Sequence, residues 1–136
     1  MINLKGREVP LIYTTQEMLT IQEAIGPIDK AIKLILGRNP EDEKDRSLYA
    51  GAGHLKALSA AVRILGNAGL EEAGEAPDLT DKKILRALKP TDIATAANLV
   101  MEAMREGMES EIPKEEQKGP VDVTLEEMDK KKEKES

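Results

Sequence analysis

The sequence predicts a mainly α protein: a small bundle of about five helices with a short N-terminal β-hairpin and a disordered C-terminal tail. Three observations lead there. Apolar residues recur three and four positions apart through most of the stretch between Thr14 and Met108. They are almost all Leu, Ile, Val, Ala and Met, with no Phe, no Trp and only Tyr13 and Tyr49, whereas strand-rich domains draw on aromatic and β-branched residues. From Glu109 onward, charge and proline replace that periodicity. The 136 residues and 40% hydrophobic content suffice for one modest core. The expected division is a helical domain over 1–108 and a charged tail over 109–136.

The elements follow in order. "INLKGREVPLIYTT" suits a hairpin turning at Gly6, with Pro10 confining its strand to an edge and Leu4, Val9, Leu11 and Tyr13 packing on a helix. Thr14 or Thr15 caps a first helix through "QEMLTIQEAI", where Met18, Ile21 and Ile25 share a face, and Gly26-Pro27 breaks it. Pro27 opens the next helix, whose Ile28, Ala31, Ile32, Ile35 and Leu36 form one stripe ending at Gly37. "RNPEDEKDR" reads as a solvated connection.

A long central helix is expected from about Leu48, because Leu48, Gly51, Leu55, Leu58, Val62, Leu65 and Gly69 alternate three and four apart. Ala50, Ala57, Ala61, Ile64 and Ala68 widen its apolar arc, so it must be covered on more than one side. "GLEEAGEAPD" is expected to end it as a polar loop. Thr80 caps a short helix with Ile84, Leu85 and Leu88, which Pro90 closes, and Thr91-Asp92 begins the last helix, with Gly107 as its stop. That helix carries Ile93, Ala97, Val100, Met104 and Met108 at helical spacing. Beyond it, too little apolar surface remains to offset chain entropy, apart from a transient helical turn around "LEEMDKKKEK".

Charge and composition exclude several functions. The formal charge is −6, and the segment from Glu109 supplies −4 of it with ten acidic against six basic side chains. Such a chain, without a concentrated basic patch, is repelled by duplex DNA, so nucleic-acid binding is not expected. The absence of cysteine removes disulfides, thiol nucleophiles and thiolate metal sites, and fits a reducing compartment. "MINLKGREVPLIYTTQ" lacks a basic segment followed by an apolar stretch, and no apolar run reaches membrane-spanning length. A cytoplasmic location with no membrane partner is the expectation.

Catalytic chemistry finds little to work with. Gly51-Ala52-Gly53-His54-x-Lys56 is a poor phosphate loop, because it sits in a helical pattern and Ala57 follows the lysine. Its glycines read as sites of close helix packing or a small kink. His54 is the single histidine, so no histidine cluster can hold a metal, and it is expected as a partly exposed helix residue. Glu71-Glu72, Glu115-Glu116 and Glu126-Glu127 lie in polar loops or the tail, which are not expected to provide the burial that general acid–base work requires, and read as solubilising. No enzyme, cofactor or metal is expected. Met101, Met104 and Met108 are compatible both with an adaptable binding surface and with ordinary core.

The ordered succession of these elements resembles the tail assembly chaperones of long-tailed bacteriophages and prophages, in their short form. "INLKGREVPLIYTTQEMLTIQEAIG" is similar to the family's opening hairpin and first helix. "ALSAAVRILGNAGLEEAGE" is similar to its central helix and Asn-x-Gly exit. "LTDKKILRALKPTDIATAANLVMEAMREGM" is similar to its two closing helices. The likeness spans Ile2 to Met108, with departures at "AGAGH" and at Ile12-Tyr13, where Lys-Phe is common.

The resemblance implies a virion-assembly factor, absent from the finished particle and acting in the bacterial host cytoplasm. Such proteins coat the long, helical, apolar tape measure protein until tail tube subunits replace them. Reversible helix-in-groove binding is the expected mechanism. Ile93, Val100, Met101, Met104 and Met108 are the candidate contacts, with the bundle core a competing claimant for each. The family commonly makes a longer product by ribosomal frameshifting, which recruits the tail tube protein. Lys130-Lys131-Lys132 is compatible with a slippery adenine run, and equally with a solvated charged end. Homo-oligomerisation is also compatible with the sequence. A small acidic adaptor or regulatory protein that binds a partner domain is the alternative reading.

Overall fold

The computed structural model describes residues 1–38 and 51–109. Strands β1 (Ile2–Leu4) and β2 (Arg7–Val9) pair antiparallel, with Ile2 opposite Val9 and Leu4 opposite Arg7. Lys5 and Gly6 both take positive φ, 54° and 85°, which is the primed two-residue turn that matches strand twist. Asn3 Oδ1 accepts the Gly6 N–H at 2.8 Å. Alternation turns Ile2, Leu4 and Val9 inward.

Helix α1 (Thr15–Ala24) is opened by Thr14. Its Oγ1 accepts the Gln16 N–H at 3.2 Å, and the Glu17 carboxylate reaches back to the Thr14 N–H at 2.9 Å, a capping box. Helix α2 (Ile28–Ile35) follows Pro27 and closes at Gly37, where the Arg38 N–H bonds the Lys33 carbonyl at 2.8 Å. The connection expected at "RNPEDEKDR" lies, beyond Arg38, outside the described residues.

Helix α3 (Ala52–Glu72) is the centre of the molecule, contacting α1, α2, β2 and the helices that follow it. It corrects two expectations. Gly51 is not helical: it is the extended N-cap, so the described helix starts at Ala52, and Leu48 lies outside the described residues. The helix also continues through "GLEE", because Leu70 extends the inward stripe of Leu58, Val62 and Leu65 and is itself fully buried. Ser59, buried among them, donates its hydroxyl to the Lys56 carbonyl at 3.1 Å.

The exit from α3 is held by Asn67, whose amide pairs with both backbone groups of Leu79: Leu79 N–H to Oδ1 at 2.9 Å and Nδ2 to the Leu79 carbonyl at 3.2 Å. Thr80 then caps α4 (Asp81–Ala87), accepting the Lys83 N–H at 3.2 Å. Pro90 forces the preceding residues out of helical geometry, and a 3₁₀ turn over Pro90–Asp92 leads into α5 (Ile93–Gly107). Asp92 is the N-cap residue of α5, as its place at the start of the last helix predicts, while its carboxylate turns back to accept the Lys89 N–H at 3.0 Å. Among the described residues no helix is long and apolar enough to cross a membrane.

Between hairpin and α1, residues 10–13 form a strap across the bundle. The Ile12 N–H bonds the Leu65 carbonyl at 3.2 Å. The Pro10 carbonyl lies against Gly69, and the Tyr13 carbonyl against Gly107, so closely that a Cβ at either glycine would overlap backbone. Buried residues from the hairpin, the strap and all five helices form one core cluster. Arg7 adds a surface link, meeting Asp78 at 3.0 Å and Glu75 at 3.7 Å. The charged hydrogen bond from Arg7 holds the Asp78 carboxyl below the usual carboxylate range.

Two outcomes are expected. Gly69→Ala, which drives a methyl into the Pro10 carbonyl, lowers stability by about 3 kcal/mol in urea unfolding. Gly74→Ala, at φ 80° with nothing near its Cβ, loses only about 1 kcal/mol. Equal losses would contradict the close approach. Because Asp78 titrates lower in the folded chain than in the unfolded one, its contribution is complete above the unfolded carboxylate range and fades as pH falls through the folded value. Arg7→Gln is expected to return the Asp78 titration, followed by carboxyl carbon NMR, to the ordinary range.

Candidate functional site

The site begins with the break at Pro90. Helix α4 has only 7 residues and α5 starts three residues after that proline, and residues of both helices line one incompletely filled space. On α5 the facing positions are Ala94 and Ala97, too small to fill the gap. The result is an apolar groove of about 650 Å³. Its walls are Leu36 after α2, His54 and Leu55 on α3, Leu85 and Leu88 from α4, Pro90 and Thr91 in the turn, and Ile93, Ala94, Ala97 and Asn98 on α5. Leu85 is 39% exposed, an apolar side chain available from water.

His54 anchors one wall and overturns the expectation of a partly exposed residue, since only 2% of it is accessible. It continues the stripe of Leu58, Ala61 and Leu65, at positions i+4, i+7 and i+11. Its Nδ1 lies 2.7 Å from the Leu34 carbonyl. A carbonyl only accepts, so Nδ1 carries the proton. The contact brings a second donor to a carbonyl in the last turn of α2, which also accepts the Gly37 N–H at 3.1 Å.

The five residues expected to contact a partner do not form one surface. Ile93 lines the groove and is half-buried. Val100 and Met104 are 0% and 2% exposed and belong to the core, together with Ala96, Ala97 and Ala103. They offer no surface in this conformation, because the stripe that carries them is the one α5 turns toward α3. Met101 is half-buried against the core edge, and Met108, just past the helix, is 75% exposed. Fifteen residues separate Ile93 from Met108, about 22 Å of helix. The Lys130, Lys131 and Lys132 stretch lies outside the described residues.

Sequence reasoning missed Leu36, Leu55, Leu85 and Leu88 as one site. One signal was present: Ile84, Leu85 and Leu88 give α4 an apolar arc wider than the single face that so short a helix can bury. Ile84 and Leu88 share that face, which leaves Leu85 over. Two smaller cavities, about 390 Å³ beside the hairpin and α5 and about 170 Å³ between α1 and α3, have more polar walls or less room. Among the described residues no group of three or more His, Asp or Glu is placed to hold a metal ion.

No family model matches this chain, and no curated protein or solved structure matches it.

At neutral pH, nitrogen NMR is expected to find His54 as the Nδ1–H tautomer with a slowly exchanging ring proton. An Nε2–H tautomer would contradict the bond to Leu34.

Proposed function

We propose that the chain is a non-catalytic, helix-binding assembly chaperone of a phage tail. In this reading it holds apolar helical faces of a tape measure protein in water until tail tube subunits displace it. The groove between α3, α4 and α5 is the observation that carries the proposal. Its walls are mostly aliphatic, it is roomy enough to take side chains from one face of a helix, and Leu85 on its rim is exposed. The order of elements resembles that family, and the mainly helical body with its N-terminal hairpin is compatible with it.

Of the contacts first considered, Ile93 carries over, now joined by Leu36, Leu55 and Leu85. Met108 is a second, separate candidate. Burying a leucine-sized side chain contributes about 1.5–3 kcal/mol, so a single groove binds modestly and can release its occupant. Many copies along one long partner compensate. The net −4 from Glu109 onward keeps such copies apart in solution. A frameshifted longer form that contacts the tail tube protein belongs to the same proposal.

Co-expression with a phage tape measure protein is expected to bring that protein into the soluble fraction, bound to this chain. Leu85→Asp, which places a charge in the groove, should reduce recovered complex about tenfold or more. Met108→Asp should leave it within about twofold. A long protein that stays insoluble, or a complex indifferent to Leu85→Asp and abolished by Met108→Asp, would overturn the groove reading.

A further inference from the structure

The groove is not uniformly apolar. His54 stands in its wall, almost wholly buried, with its Nδ1 proton committed to the Leu34 carbonyl at 2.7 Å. A neutral imidazole so arranged leaves Nε2 as a lone-pair acceptor. Nε2 has no hydrogen-bond partner among the described residues. An acceptor left with neither water nor a donor carries the full desolvation cost. A cationic donor would lose its own hydration between Leu36, Leu55, Leu85 and Ile93.

We infer that Nε2, on the side of the ring away from Leu34, opens onto the groove, and that the groove selects a helical segment whose apolar stripe carries one neutral hydrogen-bond donor, a hydroxyl or amide, placed to reach it. This rests on the groove being a helix-docking site and adds which helices it prefers. The aliphatic walls supply affinity that any apolar helix can use. His54 supplies a discrimination that a wholly apolar groove lacks.

The test uses the full chain and two synthetic amphipathic helical peptides of about 18 residues. They are identical but for Thr or Val at the centre of a leucine stripe, a pair that differs by little more than the hydroxyl. Calorimetry is expected to give the Thr peptide a five- to tenfold advantage, an effect on the order of one buried hydrogen bond. His54→Phe should abolish the advantage, and His54→Gln, which keeps both a donor and an acceptor, should retain part of it. The wild-type His54 Nε2 resonance should shift with the Thr peptide and much less with the Val peptide, a readout that does not depend on either variant folding. Both peptides binding equally, with no selective Nε2 shift, would leave helix docking standing and overturn the inference. Neither peptide binding would remove helix docking and the inference together.

Discussion

Two backbone carbonyls pressed onto two glycines set the geometry on which the rest depends. Pro10 lies on Gly69 of α3 and Tyr13 lies on Gly107 of α5, so the strap that follows the hairpin touches both long helices at backbone distance. Side chains at those glycines would hold the strap away from the helices. The seating lets the Ile12 N–H reach a carbonyl of α3 and carries Val9 and Tyr13 into the core. A hairpin of three-residue strands is marginal in water alone; here it is one wall of a shared interior.

With α3 and α5 so tied, the inward stripe of α5 is committed. Val100 and Met104 face α3, and the helix has little apolar surface left except at its ends. One end lies beside the gap opened by Pro90. The groove is thus a consequence of how the bundle closes: a short α4 stopped by proline, small residues on α5, and leucines from α2, α3 and α4 around them. A site of this kind needs no catalytic group. In the proposed role its chemistry is exclusion of water from mostly aliphatic surface, with the His54 imidazole, beside Thr91 and Asn98, to qualify what enters.

Most of the helical scaffold was legible because its signals are local. Thr14 and Thr80 cap the helices that they precede, Pro27 and Pro90 mark boundaries, and the three-and-four spacing of α3 announced a helix covered on several sides. The groove as a whole was not legible, because Leu36 and Leu55 are far in sequence from Leu85 and Ile93, and only Leu85 stands off the face that its own helix buries. His54 misled for a related reason. A polar residue on an apolar stripe looks exposed until its partner is known, and Leu34 lies 20 residues away. The end of α3 was hidden by composition: "GLEE" is polar on average, yet Gly69 faces the strap and Leu70 the core. Val100 and Met104 could not be divided between core and surface by periodicity, since both uses require the same spacing.

The central claim is that the groove between α3, α4 and α5 is where a helical partner docks. Site-specific photocrosslinking tests it most directly, with a benzophenone side chain replacing Ala94 on the groove wall or Glu23 on the outer face of α1, both exposed. In the complex with the long helical partner, the account predicts a covalent product from position 94 and little or none from position 23. A complex that forms while position 94 stays silent, or that crosslinks through position 23 instead, would contradict it.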